Sequence, residues 1–106
     1  MMRPALLLFM LEGPAHGYEL MARLETFGLE GIAPSQIYRA LRDLEAEGAV
    51  QSTWDDEKTQ GPPRRVYTLT GMGFEFLKQH VNDLRAMRSR ISKLLDAYDN
   101  WSAAQQ

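Results

Sequence analysis

The most constraining feature of the chain is the segment that begins at Pro34, where one amphipathic helix is predicted to lead into a β-hairpin. With Ile37 as the reference on a helical wheel of about 3.6 residues per turn, apolar residues gather on one side and polar residues on the other. Proline suits the first helical position because its missing amide donor is not needed there, and Gly48 is a residue type that ends helices. The inner face holds Ile37, Ala40, Leu41 and Leu44, and the outer face holds Ser35, Arg39 and Arg42.

Two short stretches with the composition of β-strands follow this helix. Val50–Trp54 and Arg65–Leu69 are rich in β-branched and aromatic residues. Between them, Gly61-Pro62-Pro63 favours a rigid, exposed turn. Thr70 then stands where it can cap a further helix. We therefore expect a mainly α-helical fold with a small β-hairpin.

Length and composition indicate one small domain. The chain has 106 residues, 44% of them hydrophobic, which allows a modest core that would gain from association with a second copy. It has no cysteine, which removes disulfides and thiolate ligands and is compatible with a reducing cytoplasm. The longest apolar run, Ala5–Leu11, is too short to cross a bilayer and lacks the pattern of a secretory signal, so we expect a cytoplasmic protein without membrane contact. No nucleophile–base pair, phosphate-binding loop or metal-ligand cluster stands out, so we expect no enzymatic activity, metal or cofactor.

The charge of the chain is unevenly distributed. A net charge of −2 would mildly repel nucleic acid. From Pro34 to Arg42, however, there are two arginines and no acid, and the stretch 58–70 contains Lys58, Arg64 and Arg65, again with no acid. The two basic stretches therefore mark the surface where DNA would dock.

Three further helices are predicted from apolar spacing. Ala5–Glu12 is apolar all round and ends at Gly13, and His16–Phe27 carries an apolar stripe closed by Gly28. The last helix begins after Thr70 and continues through Leu95 or beyond, which is longer than a small core can cover.

The apolar residues of this last helix recur every three or four positions, with Arg88 in a slot where an apolar residue is expected. Part of the stripe therefore needs a second chain, and each well-buried side chain would contribute about 1.5 to 3 kcal/mol. Tyr98 and Trp101 lie toward the end of this stripe. The predicted dimer stripe consists of Leu77, Val81, Leu84, Arg88, Ile91, Leu94, Leu95, Tyr98 and Trp101.

The order of these motifs resembles the PadR family of bacterial winged-helix transcriptional regulators. The resemblance runs from Ala5 to about Tyr98, and the single long C-terminal helix is similar to the short subgroup of the family. It implies a winged helix-turn-helix over residues 1–70 and a C-terminal dimerisation helix with a short tail over residues 71–106. The motifs are Glu12-Gly13-Pro14, His16-Gly17-Tyr18-Glu19, Ile37-Tyr38, Leu44-Glu45 before Gly48, Gly61-Pro62-Pro63-Arg64-Arg65-Val66-Tyr67 and Leu69-Thr70.

The resemblance implies a dimeric repressor that places two recognition helices in successive major grooves of a pseudo-palindromic operator. A small-molecule effector of unknown identity would relieve repression, and Tyr98 and Trp101 either pack in the dimer interface or line an effector pocket there. The alternative is a winged-helix module that binds protein instead of DNA. The chain departs from the family at the start of the recognition helix: Ser35-Gln36 replaces the usual Gly-Thr, and Ala33 replaces a Ser or Thr cap, so the operator sequence cannot be carried over.

Four of the predicted DNA contacts lie on the recognition helix. Arg39 and Arg42 suit guanine edges or phosphates, although Arg39 is also placed to pair with Asp43 one turn on. Gln36 suits an adenine edge, or it bonds back to the start of the helix. Ser35 is small enough to let the helix start approach a phosphate.

The remaining predicted contacts come from two tyrosines and the wing. Tyr18 and Tyr38 either turn their hydroxyls toward phosphate or are half-buried core residues. Lys58, Arg64 and Arg65 are the basic residues of the wing. Arg65 alternatively pairs with Asp55 or Asp56.

Overall fold

The computed structural model describes residues 1–55 and 64–106. Lys58, Asp56 and the Gly61-Pro62-Pro63 turn lie outside the described residues. Helices and a small antiparallel sheet make up the described chain, which extends over 66 × 27 × 21 Å. The elements are α1 (Met2–Phe9), a 3₁₀ turn (Met10–Glu12), β1 (Ala15–His16), α2 (Gly17–Thr26), α3 (Pro34–Ala46), β2 (Val50–Asp55), β3 (Arg64–Leu69) and α4 (Gly71–Ala104).

The predicted first and second helices are confirmed, with shifted ends. α1 begins at Met2, earlier than the sequence indicated, and its last turn tightens into the 3₁₀ turn. The chain then reverses at Gly13, whose φ of 138° suits only glycine. His16 and Phe27 are the caps of α2 rather than its first and last residues.

α3 is packed as its pattern predicts. Ile37, Ala40, Leu41 and Leu44 are all buried, and they join residues of α1 and α2 in one core. The helix ends at Ala46, and Gly48, with a φ of 83°, turns the chain so that the Ala49 amide donates to the Leu44 carbonyl at 2.8 Å. The outer face of α3 stays exposed to solvent.

The predicted hairpin is formed by β2 and β3, and a third strand joins it. The strand order is β1-β3-β2, all antiparallel, so β3 is the central strand. Ala15 lies opposite Tyr67, and Asp55 lies opposite Arg64 at the end of the hairpin where the chain passes from β2 to β3. β1 was not predicted because a two-residue pairing is too short to show an alternating pattern.

Thr70 caps α4 as predicted and also ties it to the core. Its hydroxyl oxygen accepts a hydrogen bond from the Gly73 amide at 3.0 Å, and the hydroxyl donates to the Gly48 carbonyl at 2.6 Å. A Cβ on Gly73 would lie 2.0 Å from the carbonyl oxygen of Ala49, so only glycine permits this close approach. α4 then continues for 34 residues, about 51 Å, to Ala104, which makes most of the predicted tail helical.

Candidate nucleic-acid interface

The start of α2 is built by His16, Gly17 and Tyr18. The backbone amide of His16 donates to Glu19 Oε1 at 3.0 Å, which satisfies a donor at the helix start. Gly17 is buried and packs closely against Tyr38 of α3. A Cβ on Gly17 would lie only 2.7 Å from the Tyr38 ring. This contact brings the start of α2 and the outer face of α3 together.

The outer face of α3 carries two exposed arginines. Within residues 1–55 and 64–106, the side chains of Arg39 and Arg42 make no hydrogen bond or ion pair, so the alternative pairing of Arg39 with Asp43 is not formed. Gln36 adopts its alternative position: its side-chain oxygen accepts from the Ala33 amide at 3.0 Å. This bond replaces part of the cap that Ala33 itself cannot supply.

An open basin of about 740 Å³ lies between α2, α3 and β3. Six of the nine predicted DNA contacts line it, although they come from three separate parts of the sequence. Tyr67 is a buried member of the lining, and burial raises the pKa of its hydroxyl, which therefore stays neutral at ordinary pH. The lining residues are His16, Gly17, Tyr18, Ser35, Tyr38, Arg42, Glu45, Arg64, Arg65 and Tyr67.

Both tyrosines at this basin are partly exposed. The exposed fraction is 48% for Tyr18 and 40% for Tyr38. Arg64 Nη1 donates a hydrogen bond to the Tyr18 hydroxyl oxygen at 3.1 Å, and its guanidinium carbon lies 5.1 Å from the centre of the Tyr18 ring. The cation of β3 is thereby oriented by a residue of α2.

Arg65 is held by neighbours on β2. Its Nη1 donates to Ser52 Oγ at 2.6 Å, and its guanidinium carbon lies 4.6 Å from the centre of the Trp54 ring. Ser52 in turn donates from its hydroxyl to Glu45 at 2.7 Å. The acid that lines the basin is therefore linked through Ser52 to Arg65, which reduces its repulsion of an incoming phosphate.

His16 connects three of these elements. Its Nδ1 lies 2.6 Å from Glu19 Oε1, its Nε2 lies 3.1 Å from Asp55 Oδ2, and its ring stacks on Tyr18 with centroids 5.5 Å apart. The pKa of His16 is raised, most by the side-chain hydrogen bond to Glu19 and next by the one to Asp55. Hydrogen bonds from the His16 backbone and ring lower the pKa of Glu19.

Sequence reasoning placed His16 only at the start of the second helix and gave no site role to Ser52 or Trp54. The local motif His16-Gly17-Tyr18-Glu19 signals the cap, since glutamate at the third helical position reaches back to the helix start. The contacts of His16 with Asp55 and of Arg65 with Trp54 depend on strand pairing. Both contacts form only when the strands pair in the observed register, so no local sequence motif indicates them.

The predicted dimer stripe on α4 is open beyond its first turns. Leu77 is the exception: it is only 4% exposed because it packs in the chain's own core, which leaves little of it for a partner. Val81 and Leu84 are partly buried, and Arg88 is exposed. The exposed apolar residues farther out are Ile91, Leu94, Leu95, Tyr98 and Trp101, with Leu94 73% exposed.

Neither a metal-binding cluster nor a membrane-spanning helix occurs among the described residues. In residues 1–55 and 64–106, no group of three or more His, Cys, Asp or Glu side chains is arranged to hold a metal ion. Over the same residues, none of the helices combines the length and the apolar character needed to cross a membrane.

The fold and the basin define a winged-helix protein of the DNA-binding class: α3 is the exposed basic helix, and β2 and β3 form the base of the wing. Comparison with known proteins gives the same class. The model of the transcriptional regulator PadR-like family matches residues 6–79. The chain belongs to this family of DNA-binding transcriptional regulators, which are not enzymes, as expected from the sequence.

Solved structures share the fold over nearly the whole chain. TM0937, a conserved protein described as a potential transcriptional factor, is 33% identical with a TM-score of 0.82, covering 99% of this chain and 91% of that chain. A PadR family regulator from Clostridium difficile R20291 is 21% identical with a TM-score of 0.79, covering 89% of this chain and 97% of that chain. A PadR family regulator from Eggerthella lenta DSM 2243 is 28% identical with a TM-score of 0.71, covering 85% and 80%.

A curated relative is much longer. An uncharacterized 37.1 kDa protein in transposon TN4556 of Streptomyces fradiae is 30% identical over 80 residues. The match covers 76% of this chain but only 22% of that protein.

Proposed function

We propose that the chain is a homodimeric transcriptional repressor of a bacterial cytoplasm, which binds a pseudo-palindromic DNA operator and is released by a small-molecule effector. The observation that carries DNA contact is the convergence of six predicted contact residues on one open basin. In this arrangement α3 enters the major groove, and the base of the wing approaches the neighbouring backbone. Of the other predicted contacts, Gln36 and Arg39 do not line the basin, and Lys58 lies outside the described residues.

The two arginines of α3 support this placement. Arg39 and Arg42 are exposed and make no hydrogen bond or ion pair within the described residues, so binding a phosphate or a guanine edge would break no internal contact. A guanidinium bonded to a base or phosphate oxygen makes a charge-assisted hydrogen bond, which is stronger than a neutral one. We assign Arg42 to the phosphate backbone because it lines the basin, and Arg39 to a base edge.

The open stripe of α4 supports the dimer. Five large apolar side chains between residues 91 and 101 are exposed in the single chain, which is costly for a soluble domain unless a partner covers them. Near the base of α4, an apolar recess of about 240 Å³ lies between α1, α2 and α4 and offers a place for apolar side chains of the second copy. Its lining is Met1, Pro4, Ala5, Leu8, Phe27, Leu29, Leu77, Val81 and Leu84.

The effector would act through the angle between the two DNA-binding halves of the dimer. Tyr98 and Trp101 are in contact, with ring centroids 6.2 Å apart, and both are exposed on the same face of α4. We assign them to packing against the partner's α4 rather than to a preformed effector pocket. A ligand that moves Tyr98 and Trp101 away from the partner's α4 would change the distance between the two recognition helices. The affinity of the dimer for the operator would then fall.

The salt dependence of binding tests DNA contact. The purified protein is titrated against a labelled duplex obtained by in vitro selection, at several salt concentrations. The logarithm of the binding constant is expected to fall steeply with the logarithm of salt, and Arg42→Ala or Arg64→Ala should reduce that slope by about 0.9 for each phosphate that the arginine no longer neutralises. Arg85→Ala on α4 is the matched control and should leave the slope unchanged.

If no duplex is selected, or if the slope is the same in all four proteins, the DNA-contact assignment fails. A winged-helix module that binds another protein would then be the better description.

A further inference from the structure

His16 stands between two carboxylates from different elements. Glu19 belongs to the first turn of α2, and Asp55 is the last residue of β2. An ionised carboxylate only accepts hydrogen bonds, so both ring nitrogens must carry hydrogen for His16 to bond to Glu19 and Asp55 together. The arrangement therefore fits the protonated imidazolium and not the neutral ring.

This histidine is connected to both strands at the end of the hairpin where the chain passes from β2 to β3. It bonds to Asp55 directly, and it stacks on Tyr18, whose hydroxyl accepts from Arg64. Asp55 and Arg64 face each other in the register of β2 and β3. The side chain of His16 thus tethers the end of the sheet that carries Arg64 to the start of α2.

The groups around His16 come from all the elements packed against it. α2 supplies Glu19 and the Tyr18 ring, β2 supplies Asp55, and β3 supplies Arg64 on the far side of Tyr18. From α3, the Tyr38 hydroxyl lies close to Gly17, the next residue along the chain. Among the described residues, the two charged groups bonded to His16 are thus both negative, and both favour the protonated ring.

We propose that His16 is a positioning residue for DNA binding: as the imidazolium it fixes Arg64 through Tyr18 and Asp55, and loss of its proton releases that arrangement. The inference rests on the proposed binding of DNA and adds a dependence on pH to it. When the ring loses a proton, one nitrogen becomes an acceptor that faces a carboxylate, so one of the two hydrogen bonds breaks. Because the carboxylates raise the pKa of His16 above 6.5, this change occurs as the pH rises through the neutral range or above it.

DNA affinity as a function of pH is the first test. In wild-type protein, the Kd for the selected duplex is expected to rise about three- to tenfold between about pH 6 and about pH 8.5. His16→Gln should bind at every pH as the wild type does at high pH, with a flat profile. His80→Gln, which changes the other histidine of the chain, should keep the wild-type profile. A His16→Gln profile that still follows the wild type would overturn the proposal.

A double-mutant cycle separates positioning from the simple loss of a positive charge. If His16 acts through Arg64, then His16→Gln should cost little further affinity in an Arg64→Ala background, although it costs about three- to tenfold alone. Equal costs in both backgrounds would show that His16 acts independently of Arg64, and the proposal would be wrong.

An NMR titration without DNA keeps this inference distinct from the function it rests on. The Arg64 amide and the Tyr18 ring signals are expected to shift with the same midpoint as the His16 ring, and these shifts should disappear in His16→Gln. If they occur but the protein binds no duplex, then the tether exists and the DNA-binding proposal fails. If the Arg64 and Tyr18 signals do not follow the His16 titration, the tether itself is refuted.

Discussion

Arg64 donates from Nη1 to the hydroxyl oxygen of Tyr18 at 3.1 Å, a contact between residues 46 positions apart in the chain. It joins the central strand of the sheet to the first turn of α2. The guanidinium also lies over the Tyr18 ring, so the aromatic face and the hydroxyl together restrict where the cation points. A cation that is already oriented loses less conformational entropy when it meets a phosphate.

Tyr18→Phe tests the hydroxyl alone. The change keeps the ring but removes the acceptor for Arg64, and a hydrogen bond of this kind contributes about 0.5 to 1.5 kcal/mol. The Kd for the selected duplex should therefore rise about two- to tenfold in a fluorescence anisotropy titration. Tyr98→Phe on α4 is the matched control and should bind as the wild type does. Equal affinities of Tyr18→Phe and wild type would mean that Arg64 is not oriented by this bond.

Two glycines at the start of α4 give a sharp comparison of stability. A Cβ on Gly73 would meet the backbone oxygen of Ala49, which cannot move aside as a side chain can, whereas a Cβ on Gly71 would meet nothing within 4 Å. We expect Gly73→Ala to lower the free energy of unfolding by about 1 to 3 kcal/mol, and Gly71→Ala to leave it unchanged or raise it by a few tenths. Urea denaturation measures both, and similar effects of the two changes would contradict the packing described for α4.

The exposed stripe of α4 makes a prediction about assembly. Leu94→Glu places a charge on the stripe and should raise the dimer dissociation constant by at least about tenfold, because each copy then buries an unpaired carboxylate. Ser89→Glu, on the opposite side of the helix, should leave assembly unchanged. Sedimentation velocity over a range of concentrations distinguishes the two, and a Leu94→Glu protein that stays dimeric would place the interface elsewhere.

The cluster around His16 makes stability depend on pH in two directions. The pKa of His16 is raised above 6.5, so its contribution is fully present below pH 6.5 and is lost as the pH rises through the raised value. The pKa of Glu19 is lowered below 4.5, so its contribution is present above pH 4.5 and is lost as the pH falls through the lowered value. The contribution of the pair is therefore greatest between pH 4.5 and pH 6.5.

Urea denaturation at a series of pH values measures this profile. His16→Gln should lose the decline on the alkaline side, and His80→Gln should retain it. A decline of the same size in His16→Gln would mean that another group is responsible.

Much of the fold follows from local pattern, but the site does not. The inner face of α3 and the Thr70 cap were predicted because periodicity and capping chemistry act between residues a few positions apart. The partners of Arg64 and Arg65 were not, since Tyr18 and Trp54 reach them only once the strands are paired in one register.

Periodicity also has a limit on α4. It identifies the apolar face of the helix, but it cannot say how many turns the chain's own core covers. Leu77 was therefore grouped with the dimer stripe, although α1 and the rest of the core already bury it. Gln36 shows the same limit. Capping α3 and contacting a base both need its side-chain amide, and only the observed hydrogen bond with the Ala33 amide distinguishes the two roles.

Thr70 is the single residue between the end of β3 and the start of α4. The strand that presents Arg64 and Arg65 is thus continuous with the long helix, with no loop to absorb a rotation between them. In a symmetric pair of chains, any twist imposed on one terminal helix would pass directly into the central strand that carries these two arginines. A rotation of the far end of α4 would therefore reach these arginines with no flexible segment to reduce it.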